Sequence, residues 1–134
     1  MTKEQLATRA KEAMQLAYSP YSGYKVGAAL LCKDGTVYTG CNIENAGYSA
    51  TNCAERTAFF KAVSEGQREF EAIAICGGKD GVIEGLFPPC GVCRQVMREF
   101  CSDDFLIYLV TKNGVEEYTL AQLLPVSFCP ENVK

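Results

Sequence analysis

Two short stretches carry residues able to do chemistry: Asn52-Cys53-Ala54-Glu55 and Pro89-Cys90-Gly91-Val92-Cys93. A C-x-x-C step on a helix puts two thiols on one face. Both stretches stand where a helix is predicted to begin, and there unpaired N–H groups and the positive end of the helix dipole favour thiolate over thiol. Three thiolates aimed at one point fill three positions of a tetrahedral zinc. A structural zinc is closed by four protein ligands, whereas a catalytic one keeps a position open for water. The chain has no histidine, so closure needs a carboxylate or one of the lone cysteines Cys41, Cys76 and Cys101. An open zinc site, a closed one and a redox dithiol all remain compatible with the spacing. Glu55 bears on the choice. Residues i and i+2 diverge within a regular helix, but in the first turn a long glutamate side chain reaches toward a water beside the metal. The plainer reading of Glu55 is an acidic residue favoured by the helix dipole.

The rest of the composition narrows the setting. At 134 residues the chain fits one domain, 1–134, with 48% hydrophobic and 22% charged residues. Net charge is −3 with the signs mixed along the chain, a poor footprint for a phosphate backbone, so no nucleic-acid partner is expected. No apolar run approaches the roughly 18 residues that span a bilayer. The start, MTKEQLATRAKEAMQLA, carries acidic residues and no apolar h-region, so a cytoplasmic, reducing location is expected and the eight cysteines stay reduced. Cys32, Cys41 and Cys76 lie in or beside apolar runs and are expected in the core. Cys101 and Cys129 are expected to remain unliganded.

Several elements must position the two motifs. Thr2 with Gln5 forms a capping-box start, and apolar residues recur at helical spacing as far as Tyr18. SPYSG (19–23) breaks that helix. KVGAALLC (25–32) and TVYTGCNI (36–43) flank Asp34–Gly35 as a hairpin. Asn52 is the expected N-cap of a helix over 53–65, with Gly66 just past its end. FEAIAIC (70–76) reads as a buried strand, 77–89 as a glycine-rich loop and 90–101 as a second helix. Strands 105–110 and 115–119 and a short helix 120–124, stopped by Pro125, complete the order αββαβαββα. That order implies an α/β fold, a mixed sheet with helices on its faces.

With these blocks in place a resemblance becomes specific. Cys53-Ala54-Glu55 followed by PCGVCRQ (89–95) is similar to the Cys-x-Glu … Pro-Cys-x-x-Cys signature of the cytidine deaminases. YSPYSGYKVGAALL (18–31), GCNIENAGYS (40–49) and NCAERTAFFKAVSEG (52–66) resemble further blocks of that family. The resemblance implies a three-layer α/β/α cytidine deaminase-like fold with a mixed five-stranded sheet flanked by helices, in the small, homotetrameric, three-cysteine branch. It implies one Zn2+ per subunit on Cys53, Cys90 and Cys93, with Glu55 moving protons during hydrolysis of a cytosine amine. Arg56, three residues after Cys53, is placed to donate hydrogen bonds to the sulfurs, with Arg94 and Gln95 weaker candidates.

The same resemblance gives Asn42 and Glu44 the ribose hydroxyls and the Ala54 N–H the cytosine ring. Tyr24 stands where the family usually has a phenylalanine beside the base. Tyr48 and Phe128 match aromatics that complete a neighbouring subunit's site in tetrameric relatives. The 77–89 segment departs from the family's short loop. The implied reaction converts cytidine and 2′-deoxycytidine to uridine and 2′-deoxyuridine in pyrimidine salvage. Its alternatives are a deaminase of a modified cytosine nucleoside such as blasticidin S and a zinc-stabilised module with no catalysis.

Overall fold

The computed structural model describes Met1–Lys134. Helix α1 (Lys3–Met14) starts at the expected capping box. The Thr2 hydroxyl accepts from the Gln5 N–H at 3.1 Å, and the Gln5 carboxamide oxygen accepts from the Thr2 N–H at 2.8 Å. Strands β1 (Tyr24–Cys32) and β2 (Val37–Cys41) follow as a hairpin. Its turn is held by the Thr36 N–H donating to Asp34 and by Gly35 at φ 92°. Then come α2 (Ala54–Ser64), β3 (Phe70–Lys79), α3 (Gly91–Phe100), β4 (Leu106–Thr111), β5 (Gly114–Thr119) and α4 (Leu120–Leu123). Single 3-10 turns lie at Tyr48–Ala50 and Pro130–Asn132.

The five strands form one mixed sheet in the order β2-β1-β3-β4-β5, with β3–β4 the parallel pair. Alternation along β1 and β3 sends residues to opposite faces. On one face Ala29 and Leu31 of β1 and Ala72, Ala74 and Cys76 of β3 pack on Leu6, Ala7, Ala10 and Met14 of α1. On the other, Val26, Ala28, Leu30, Ile73 and Ile75 meet Ala54, Ala58 and Phe59 of α2 and Cys93 and Met97 of α3. The sheet thus lies between α1 and the layer that carries both chemical motifs. Two glycines let the helices approach. A Cβ at Gly27 would stand 2.1 Å from the Ala10 carbonyl oxygen, and one at Gly40 would stand 2.5 Å from that of Ala54. Gly40 therefore sets how closely the first turn of α2 rests on β2.

The element order and the mixed sheet match the expectation, and four local readings are corrected. The first helix ends at Met14 rather than Tyr18, since Leu16 and Tyr18 face solvent and Tyr18 instead bridges to Ile43. Strand β2 ends at Cys41, because Ile43 bridges to Tyr18 and Asn52. Strand β3 continues through Gly77 and Gly78 to Lys79, opposite Val26, Lys25 and Tyr24. A side chain at Gly78 would collide with the Val82 carbonyl, and one at Gly77 with the Phe87 ring. Those glycines mark close packing on a strand rather than a loop. Cys32 and Cys76 are buried as expected, while Cys41 is only half-buried at the end of the edge strand.

Gly40→Ala is expected to destabilise the fold by about 1–3 kcal/mol, because α2 must lift from β2. Gly85→Ala, where an added methyl meets nothing within 4 Å, is expected to stay within about 0.5 kcal/mol of the parent in denaturant titrations.

Candidate active site

Cys53, not Asn52, is the N-cap of α2. Its backbone is extended (φ −76°, ψ 155°) and its side chain caps no N–H, so the sulfur is free of the helix it introduces. This removes the conflict over spacing: Cys53 lies outside the helical turn that carries Glu55, and the two side chains converge without sharing a helical face. Asn52 instead donates to the Thr57 hydroxyl at 3.1 Å, and that hydroxyl donates to the Cys53 carbonyl at 3.2 Å. Cys90 is likewise the N-cap of α3, its sulfur accepting from the Cys93 N–H at 3.5 Å. The two helix starts meet. The sulfurs of Cys53, Cys90 and Cys93 all lie within 4.8 Å of one another, and those of Cys53 and Cys90 are 3.7 Å apart.

That spacing fits zinc. Tetrahedral Zn–S bonds of about 2.3 Å put neighbouring sulfurs about 3.8 Å apart. No other histidine, cysteine, aspartate or glutamate joins the trio, so three thiolates leave one position open. Three thiolates around a dication total −1, and the structure supplies compensating charge. Arg56 donates through Nη2 to the Cys53 sulfur at 3.3 Å. The Cys93 thiol donates to Cys53 as well and, with Arg56, holds the Cys53 thiol down to about 5, against the opposing effect of burial. Cys93 is correspondingly pushed up, by its hydrogen bond to the Cys53 thiolate and by burial. Thiolate character before any cation arrives thus rests on Cys53.

Glu55 is 4% exposed. Burial pushes its carboxyl up to about 7, with the Cys53 charge adding and its own N–H and Arg56 opposing. A carboxyl poised near neutrality both takes and returns protons, the property wanted in a general acid–base.

Cys53, Cys90 and Glu55 open onto a cleft of about 230 Å³, with Cys93 buried behind them. Asn42, Glu44 and Ala54 line it, as do Val26, Thr51, Asn52, Phe87 and Pro88. Asn42 is buried and ties the segment leaving β2 to the start of β1: Oδ1 accepts from the Val26 N–H and Nδ2 donates to the Tyr24 carbonyl, both at 2.8 Å. One N–H and one lone pair of its amide remain. Glu44 accepts from the N–H groups of Tyr21 and Ser22 at 3.0 Å and from the Ser22 hydroxyl, which leads in holding its carboxyl below the usual range.

Other expected residues fall elsewhere. Tyr24 is outside the cleft lining; it faces an adjacent depression, with its ring 6.2 Å from that of Phe87 and beneath the Lys79 ammonium. Tyr48, 82% exposed, lines a further depression that shares Glu44 and Thr51 with the cleft. Phe128 is 62% exposed and lines no part of the cleft. Arg94 and Gln95 touch no sulfur. Arg94 donates to the carbonyls of Pro89 and Leu123, and Gln95 to that of Phe128. Phe87 and Pro88 had no signal beyond a proline-closed loop, and Val26 looked like any other core position of an apolar strand. A larger cavity of about 660 Å³, beside Arg98 and Cys129, lies away from the sulfur trio.

The chain is similar to known proteins along most of its length. Residues 1–109 match the profile of the cytidine and deoxycytidylate deaminase zinc-binding region. A cytidine deaminase of Sporosarcina psychrophila is 52% identical over 99% of this chain and 96% of its own length. One of Halalkalibacterium halodurans is 49% identical over 99% and 98%. The crystal structure of a cytidine deaminase from Burkholderia pseudomallei superposes with a TM-score of 0.89 at 46% identity, covering 96% of this chain and 100% of that one. The chain therefore belongs to the cytidine and deoxycytidylate deaminase zinc-binding family.

Proposed function

We propose that the chain hydrolyses the exocyclic amine of cytidine and 2′-deoxycytidine, releasing ammonia and leaving uridine and 2′-deoxyuridine. The observation that carries this reading is Glu55, buried and near neutral beside three convergent sulfurs with no fourth protein ligand. Cys53, Cys90 and Cys93 would hold one Zn2+ per subunit, which when bound supplies the Lewis acidity that makes water a nucleophile near neutral pH. Glu55 accepts one proton of the attacking water and passes it to N3 of the ring, then takes the second from the hydroxyl now on C4 and delivers it to the departing amine. One carboxyl suffices because attack and departure share one carbon, C4. Ala54 is the first residue of α2, so its N–H has no intrahelical partner and is free for the base. The remaining valences of Asn42 and the carboxylate of Glu44 suit a ribose diol.

The same reading extends to setting. A nucleoside fits a cleft of this size, and with a net charge of −3 nothing draws a nucleic-acid strand to it. No helix is long and apolar enough to cross a membrane. We assign the enzyme to pyrimidine salvage in the cytoplasm as a homotetramer, in which the exposed Tyr48 and Phe128 meet a neighbouring subunit.

Three outcomes are expected. Glu55→Gln retains fold and zinc but loses about 10²- to 10⁴-fold in kcat, followed by the decay of cytidine absorbance. A zinc-loaded parent that leaves both nucleosides untouched, or that acts on blasticidin S alone, refutes the substrate assignment. Arg56→Ala weakens zinc retention about 10- to 100-fold in competition with a chelator, because the Cys53 sulfur loses its donor. Sedimentation equilibrium is expected to give a particle of four 14.6 kDa chains, and a monomer at micromolar concentration would remove the intersubunit role of Tyr48 and Phe128.

A further inference from the structure

Phe87 stands between two spaces. On one side is the cleft with Val26, Ala54, Glu55 and Cys90; on the other is a depression of about 310 Å³ lined by Tyr24, Gly77, Gly78, Lys79 and Leu86. Pairing between β1 and β3 explains the placement. Val26 opposes Gly77 and Tyr24 opposes Lys79, so all four project from the same face of the sheet. The Phe87 ring lies on Gly77: a Cβ there would come 2.8 Å from ring atom Cδ1 and 3.0 Å from Cγ. One step along β1, from Val26 to Tyr24, crosses from the cleft to the depression, and the Phe87 ring fills the gap between them. The half-buried ring has Tyr24 on its far side, at 6.2 Å and 31°.

The chemistry of cytosine says which edge meets this wall. C4 must lie at the sulfurs and Glu55, and its ring neighbours are N3 and C5. N3 is the edge that exchanges a proton with Glu55. The C5–C6 edge carries only C–H and suits the apolar wall of Phe87 and Pro88, three and two residues before Cys90. We propose that Phe87 is a specificity-determining residue that closes the cleft against substituents on C5 of the pyrimidine, and that the depression behind it is a subsite for such groups once the ring is cut back. The inference rests on the functional reading above.

The test compares kcat/KM for cytidine and for cytidine bearing a phenyl group on C5, in zinc-loaded parent, Phe87→Ala and Phe87→Leu. The ratio of phenylated to plain substrate is expected to rise about tenfold or more in Phe87→Ala, with Phe87→Leu between it and the parent. Cytidine methylated on N4 is the control, and its ratio to cytidine stays put. Calorimetric binding of uridine bearing a C5 phenyl reads the same opening without turnover. Gly77→Ala acts from behind the ring, pushing it into the cleft, and is expected to raise KM for cytidine. An unchanged ratio and unchanged binding in zinc-loaded Phe87→Ala overturn the inference, while cytidine turnover by the parent keeps the functional reading intact. Failure of the parent on cytidine defeats that reading first and the inference with it. Should Phe87→Ala not fold, an unaltered ratio in Phe87→Leu together with an unaltered KM in Gly77→Ala overturns the proposal.

Discussion

Bringing three sulfurs within 4.8 Å of one another is the constraint around which this protein is arranged. Like charges repel, and thiolates at such range persist only where positive potential is concentrated. The fold meets the requirement by aiming the N-termini of α2 and α3 at one point. Each helix leaves unpaired N–H groups at its start, and a guanidinium stands on the same spot. A cysteine as N-cap gains from this placement twice, since it takes the dipole's field and keeps its sulfur off the helical face. An imidazole would bring a neutral ligand and remove part of the repulsion. This chain has none, and Arg56 supplies the compensation from outside the ligand set.

Much of this was legible in residue types. The capping box, the Asp34–Gly35 turn, the alternation of apolar residues and the two cysteine motifs are local signals, and local physics decides them. What escaped was set by contacts between distant segments. Gly77 and Gly78 look like loop residues until the Val82 carbonyl and the Phe87 ring are seen to occupy the room a side chain would take. Asn52 is a better cap than cysteine by propensity, yet its amide is engaged with Thr57. The resemblance pointed to Tyr24 beside the base, whereas the cleft is walled by Phe87 from a segment that sequence reading left without a role. A segment of irregular backbone offers no period from which inward-facing residues can be read.

Asn42 illustrates how support and recognition share one side chain. Half of its hydrogen-bonding capacity fixes β1 where Val26 and Tyr24 flank the ring of Phe87, and the other half is left for a ligand. Glu44 does the same for residues 19–23, drawing in the N–H groups of Tyr21 and Ser22. Substitution at either position disturbs the scaffold and the pocket together, so the measured effect of such a change is never a pure binding energy.

Arg94 and Gln95 sit on the helix that bears two of the sulfurs, yet their side chains grip the carbonyls of Leu123 and Phe128. The last dozen residues are in this way lashed to the helix that carries Cys93. Drift or cleavage in that tail would be felt as a loosened ligand loop, so a stretch of chain with no chemistry of its own shares in the fidelity of the centre.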